Sequence, residues 1–424
     1  MRIKLAFFYA LVLVTSSMLS AQNIIYVKPN GTGTGNTWAN AIANLQAAID
    51  SANQLTPKAK VWVASGTYFG DSIAANNAFT IKEGVNVYGG FAGNEPPNFD
   101  LSLRDFVINT SILEGQNVQR VLGQDSAFSD SIIITVWDGF TIQNGYNSNE
   151  GGGVKLFTYS KISNCVITNN TGRNGGGLWA DRATIFNCKI INNSTTPYQG
   201  NYECGGGVYI FSSTMINCNI SDNYADFGGG FWTRYSTFVN CNFSNNSSST
   251  NVYFGGAGAG YVWASSTFIN CLVNDNTTTG HCGGVYVHNW IDGPTDFINC
   301  HIVNNSGDGI YMQYSSAHTN IANCIIWGND IQISGSNSRT ISYSAIQGGA
   351  SGTNNIDLSP ENSGIDTTSN YVTFTDPINE DYSLLPQSVC VDTGLDSIVT
   401  TFTDILGNMR IWDGNNDSTF TVDI

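Results

Sequence analysis

Bond-breaking chemistry on a sugar or peptide needs acids, bases or nucleophiles brought into one register. The acids of this chain do not share one. Asp181, Asp222, Asp226, Asp275, Asp292, Asp296 and Asp308 fall mostly in turn-like contexts. A pair of carboxylates, or a cation-held acidic ligand with a Lys or Arg base, would recur on one strand face. Arg182 and Arg234 lie in different registers, and His281, His288, His301 and His318 are scattered. There is no Cys-x-x-Cys and no Cys/His cluster at metal-ligand spacing. The residues therefore point to no catalytic set, no metal and no cofactor. One row does repeat. Trp179, Tyr209, Trp232, Tyr286 and Tyr311 each stand two residues past a glycine, with Val262 interrupting the row. Aligned on an outer face, such rings would offer flat surfaces to sugar rings or to a partner protein. Covered by side loops, or stacked on one another, they would instead stabilise the sheet.

The elements that must hold that row are read from a second repeat. An Asn-Cys pair occurs at Asn164-Cys165, Asn187-Cys188, Asn217-Cys218, Asn240-Cys241, Asn270-Cys271, Asn299-Cys300 and Asn323-Cys324. The mean spacing of about 26 residues is that of a solenoid coil. Two residues after each Cys stands Ile167, Ile190, Ile220, Phe243, Val273, Ile302 or Ile326, and between them stands a residue of varying type. This period-2 pattern predicts a short strand with Cys and its apolar partner inward. Five residues after each Cys stands Asn170, Asn193, Asn223, Asn246, Asn276, Asn305 or Asn329. Glycine runs such as Gly175-Gly176-Gly177 open a second strand, and apolar patches such as Thr184-Ile185-Phe186 make a third. Each coil should thus hold about three strands and three turns, with no helix.

One coil cannot bury its own inner face. Stacking at about 4.8 Å per coil buries it and aligns like residues in columns. Asparagines on successive coils would then bond to one another and to turn backbone, which explains why both positions are Asn in every coil. The fold predicted is all-β, a right-handed single-stranded parallel β-helix with an N-terminal capping helix and an irregular C-terminal end. In-register Cys side chains would sit near the strand spacing, too wide for a disulfide, so the stacked cysteines are expected as buried thiols.

Residues 1–21 read as a signal peptide, with Arg2 and Lys4 before an apolar run and a small-residue exit at Ala21. Residues 22–60 are expected to form a strand and a capping helix from about Trp38 to Ala52, with Thr37 as N-cap. Residues 61–347 make the β-helix, and 348–424 a β-rich end segment. Without residues 1–21, which hold two bases and no acid, the net charge falls from −16 to −18. Nucleic acid is excluded as a partner, since phosphate needs Lys and Arg. No stretch of the mature chain is apolar enough to span a membrane.

The glycine–aromatic runs and the repeated apolar-x-x-Asn, as in Phe243-Ser244-Asn245-Asn246, resemble the repeats of chlamydial polymorphic outer-membrane proteins. The opening Tyr26-Val27, Thr37-Trp38-Ala39 and Val61-Trp62-Val63-Ala64-Ser65-Gly66-Thr67-Tyr68 are similar to the start of bacterial surface β-helix proteins of Bacteroidetes. Asp381-Tyr382-Ser383-Leu384 and Ser388-Val389-Cys390-Val391-Asp392-Thr393-Gly394 look like the choice-of-anchor segment that ends such proteins. The resemblance implies export to the cell surface or medium and leaves activity open. Three functions compete: a non-enzymatic adhesin-like protein that binds polysaccharide or host glycan, a polysaccharide lyase or hydrolase of the pectate-lyase-like superfamily, and a passive stalk. The Asn-Thr-Asp, Asp-Asp and Gly-His-Gly signatures of polygalacturonases are absent.

Overall fold

The computed structural model describes residues 23–70, 76–130, 132–196, 203–249, 256–291, 293–313, 318–336, 338–358, 372–414, 418 and 420–424. The expected signal peptide lies outside them. The chain is a parallel β-helix wound in the hand that parallel crossovers take. Among the described residues, two sheets hold twelve strands each and a third holds ten, all in parallel register. The first sheet carries the strands before each Asn-Cys corner, such as Thr184–Phe186, and the second those after it, such as Lys189–Ile191. The third carries the strands after the glycine runs, such as Leu178–Asp181. A fourth, six-stranded sheet, from Tyr146–Glu150 to Thr277–Thr278, was not foreseen. Its strands are mostly two residues long, too short for a periodicity to show.

Register is one-to-one down the columns. Ile167, Ile190, Ile220, Phe243, Val273, Ile302 and Ile326 pair in sequence on the second sheet and are buried. Phe238, Phe268 and Phe297 stack at 4.7 and 4.9 Å between ring centroids on the first. The stacked strands run from Ile24–Val27 to Ile356–Leu358, past both limits expected for the β-helix.

The two asparagine rows have different jobs. Asn164, Asn187, Asn217, Asn240, Asn270, Asn299 and Asn323 all adopt φ between 50° and 55°. This left-handed corner turns the chain from first to second sheet, and Asn is the side-chain-bearing residue that tolerates it best. The second row points inward. Asn170 Nδ2 donates to Asn193 Oδ1 at 3.0 Å, and the same bond runs through Asn223, Asn246, Asn276 and Asn305 to Asn329. Each of those oxygens also accepts the preceding Asn backbone N–H, at 2.9–3.1 Å. The ladder therefore satisfies backbone donors at a corner that water does not reach. Gly145 N–H donates into its first oxygen, and Gln332 Oε1 accepts from its last amide. All ten cysteines are free. Those of the column place Sγ against a carbonyl oxygen two residues back, as Cys188 does to Phe186 at 3.3 Å.

The N-terminal helix differs from expectation. Thr37 caps only a 3-10 turn, Trp38–Asn40, and the α-helix is Leu45–Gln54 with Asn44 as its cap. Ile42 is the reason. Its N–H donates to Tyr26 O and its carbonyl accepts from Lys28 N–H, which draws 41–43 into the sheet edge. Leu45, Ala48, Ile49 and Ala52 then cover the end of the stack.

The C-terminal segment does not sit beyond the last coil; it folds back over the outer face of the second sheet. Phe374, Tyr382, Cys390 and Ile424 pack with Leu272, Ile325 and Ala345. The outward position that reads as freely variable is therefore ordered. Lys189 is exposed, Asn219 and Asn242 are half-buried at the rim of the cover beside Thr403–Gly407, and Leu272, His301 and Ile325 lie under it. Corner residues serve as its sockets. Asn323 Nδ2 donates to Leu395 O at 3.1 Å and its Oδ1 accepts Leu395 N–H at 2.8 Å. Tyr382 Oη donates to Asp275 at 3.0 Å and accepts from Asn304 at 2.9 Å.

Candidate functional site

The aromatic row lies on the outer side of the third sheet, and it is longer than the sequence suggested. Tyr261, not Val262, pairs with Trp232 and Tyr286. Val262 faces the core. The mismatch arises because Gly260 occupies the inward place of Phe231, whose ring a Cβ at Gly260 would meet at 2.2 Å. The row therefore runs unbroken through Trp179, Tyr209, Trp232, Tyr261, Tyr286 and Tyr311.

The rings are not open platforms, which corrects the reading of them as an exposed contact surface. Trp179, Trp232 and Tyr286 are only 7%, 8% and 1% exposed. They cover one another. Tyr209 and Trp232 stack at 4.3 Å and 8°, Tyr261 and Tyr286 at 4.8 Å and 11°, and Tyr311 leans on Tyr286 at 4.9 Å. Parallel register sets like rings at about the strand spacing, close enough to exclude water between them. Phe211 and Trp263 fill the flanks. Only Tyr209 and Tyr311 of the five expected rings remain half-buried. The row is a stiff wall, and contact with a ligand is confined to its edges.

At the N-terminal end of that wall lies a polar cleft of about 370 Å³. Its cations are Arg120, Lys155 and Arg173, and its one carboxylate is Glu150. Asn76, Asn147, Asn149 and Asn174 supply amides. Each comes from a different piece of the fold. Arg120 opens the strand Arg120–Gly123 and Lys155 lies in Val154–Leu156, both of the third sheet. Glu150 and Arg173 belong to the adjoining fourth-sheet strands Tyr146–Glu150 and Thr171–Asn174.

Arg120 is buried and held by neutral acceptors. Nε donates to Gly151 O at 2.8 Å, Nη2 to Glu150 O at 2.5 Å and Nη1 to Asn77 Oδ1 at 2.6 Å. Burial lowers its pKa to about 10, so it stays cationic at neutral pH. Lys155 pairs with Glu150 at 2.7 Å and lies over the rings of Phe157 and Trp179, at 5.0 and 5.2 Å. The ammonium thus joins the cleft to the end of the aromatic wall.

Of the residues proposed from sequence, Trp179 adjoins this cleft and Tyr311 lies at the far end of the row. Arg120, Lys155 and Arg173 were missed. Arg120 and Lys155 come from coils without the Asn-Cys signature, and Arg173 stands at a position of its coil that does not recur as a cation, so no register aligned them. Their one visible signal was a span, 120–173, that holds four of the 16 cations: these three and Lys161. Among the described residues no group of three His, Cys, Asp or Glu is placed to hold a metal. No described helix is long and apolar enough to cross a membrane.

Fold and cleft together define a parallel β-helix with a cationic, amide-lined recess beside an aromatic wall. No protein-family model matches the chain, and no curated protein matches it. Among solved structures it is similar to the pectate lyase Pel9A, at 15% identity over 90% of this chain and 94% of that one, TM-score 0.40. It is also similar to PfbA, a surface adhesin of Streptococcus pneumoniae, at 10% identity over 73% and 83%, TM-score 0.39. A tailspike mutant of E. coli bacteriophage HK620, solved with a pentasaccharide, matches at 12% identity over 75% and 76%, TM-score 0.22. The likeness is one of fold.

Proposed function

We propose that this chain is an exported, adhesin-like protein that displays its β-helix at the cell surface or in the medium and binds glycan without cleaving it. The observation that carries the reading is the composition of the cleft. Amides and guanidinium groups are the donors and acceptors that match sugar hydroxyls, and the end of an aromatic wall supplies an apolar edge. Among the described residues a single carboxylate lines it, where the double-carboxylate route to glycoside hydrolysis needs two. Its lysine is engaged as an ammonium with Glu150 and two rings, an arrangement suited to binding. The stack gives the cleft a firm mount, because the strands Arg120–Gly123, Val154–Leu156 and Thr171–Asn174 that carry its cations each pair with strands on both sides.

The experiment is incubation of the full chain with a panel of acidic and neutral polysaccharides, scored for retention and for new reducing or unsaturated ends. Retention without new ends is expected. New ends would overturn the reading in favour of a lyase or hydrolase. Neither retention nor cleavage would leave a passive stalk.

A further inference from the structure

We propose that the cleft takes an acidic sugar residue, carboxylated or sulfated, and grips its anion directly through Lys155 and Arg173, with no bridging divalent cation. This deepens the glycan reading above and rests on it. The chain carries 32 acids against 16 bases, so a ligand with negative charge is repelled by most of its surface. Three of those 16 bases line this one recess, against one carboxylate.

Arg120 adds its charge from beneath the other two. Among the described residues Arg120 has no carboxylate within ion-pair distance, and its donors go to backbone carbonyls and an amide oxygen. Glu150 and, after it, Asp125 act on it from farther away, and Asp125 accepts from the Asn77 amide at 3.1 Å. Arg120 is thus a buried source of positive potential under the cleft, and Lys155 and Arg173 are its reachable donors. Glu150, already paired with Lys155, orients that ammonium. A bridging Ca²⁺ would need six to eight oxygens, roughly, and would meet three cations here. The polar groups favour an anion met by N–H donors.

The test uses one polymer in three charge states: dextran, carboxymethyl-dextran and dextran sulfate. Binding of the full chain is measured by surface plasmon resonance, with and without EDTA and at rising salt. The charged polymers should bind at least about tenfold tighter than dextran, weaken with salt and ignore EDTA. The ranking of the two charged polymers tells carboxylate from sulfate. Lys155→Gln with Arg173→Gln should bring charged-polymer binding down to the dextran level. Lys155→Gln alone should lose part of it, and Arg182→Gln, a solvent-facing cation loss, should change little. Unfolding midpoints for each variant separate lost binding from lost fold.

Equal binding of dextran and the charged forms overturns the inference and leaves glycan binding intact. Loss of binding in EDTA, or an unchanged double variant of native stability, also overturns it. Binding to none of the three overturns it as well, and the wider polysaccharide panel then decides whether glycan binding falls with it.

Discussion

Replacing Asn223 by Leu should destabilise the fold far more than replacing Asn217 by Ala, although both are asparagines of one coil. Asn223 is fully buried. Its Oδ1 accepts both the backbone and side-chain N–H of Asn193, at 3.0 and 3.1 Å, and its Nδ2 donates to Ile190 O and Asn246 Oδ1, at 2.9 and 3.0 Å. Leucine fits the volume and supplies none of these. The Asn193 backbone N–H is then left with no acceptor in a dry corner, and Ile190 O loses its amide donor. At about 1–3 kcal/mol for each of these two orphaned buried groups, the cost is about 2–6 kcal/mol. Asn217 turns an outer corner at φ 55° and accepts one bond, from Asn240 Nδ2 at 3.1 Å. Alanine there loses that bond in contact with water and meets a left-handed backbone, about 1–2 kcal/mol in all. Urea unfolding followed by far-ultraviolet circular dichroism reads both. Equal costs would refute the distinction between inner ladder and outer corner.

Trp232→Ala should cost about 3–5 kcal/mol, because the ring is buried between Tyr209 and Trp263; thermal unfolding checks this, and an unchanged midpoint would show the ring to be idle. The nine buried cysteines should resist a thiol reagent in the native protein and all ten should react in denaturant, since the native packing keeps the reagent from the buried Sγ atoms. The cover should loosen in acid. Burial, with Arg410 beside it, lowers His301 to about 4, so the folded state holds a neutral imidazole that the unfolded chain protonates below its ordinary 6.5. Its contribution is full above pH 6.5 and is lost as pH falls towards 4. Asp423, raised by burial, runs the other way, so His301→Gln is the control. Hydrogen exchange at pH 7 and pH 5 over 372–424, corrected for the intrinsic amide rate at each pH, reads it, with lower protection at pH 5 in the wild type and a smaller change in the variant.

The coil repeat was legible because stacking forces like residues into like places. A buried Cys, a buried branched residue and a ladder Asn cannot vary without cost, so they recur. The aromatic row was legible in position, while its exposure stayed open between a contact face and stacked rings until the structure showed the stack. Tyr261 was displaced by one residue because the glycine run of its coil contains Ala259. The cleft was hidden for a different reason. Arg120, Lys155 and Arg173 meet through three different strands, and charge at a strand end has no period. The C-terminal cover left a trace in Leu272, His301 and Ile325, where apolar and imidazole groups replace Lys189, Asn219 and Asn242. That drift along a column is readable once the columns are known.

The stack itself is tested most directly by distances along one outer column. Thr184, Thr214, Thr237, Thr267, Asp296, Asn320 and Thr340 pair in succession on the first sheet. Electron–electron double resonance between a spin label at Thr340 and one moved through Thr184, Thr214 and Thr237 should give backbone separations of about 29, 24 and 19 Å, a step of about 4.8 Å per coil. Distances that do not shorten by that step as the label moves one repeat would contradict the parallel columns on which the ladder, the aromatic wall and the cleft all depend.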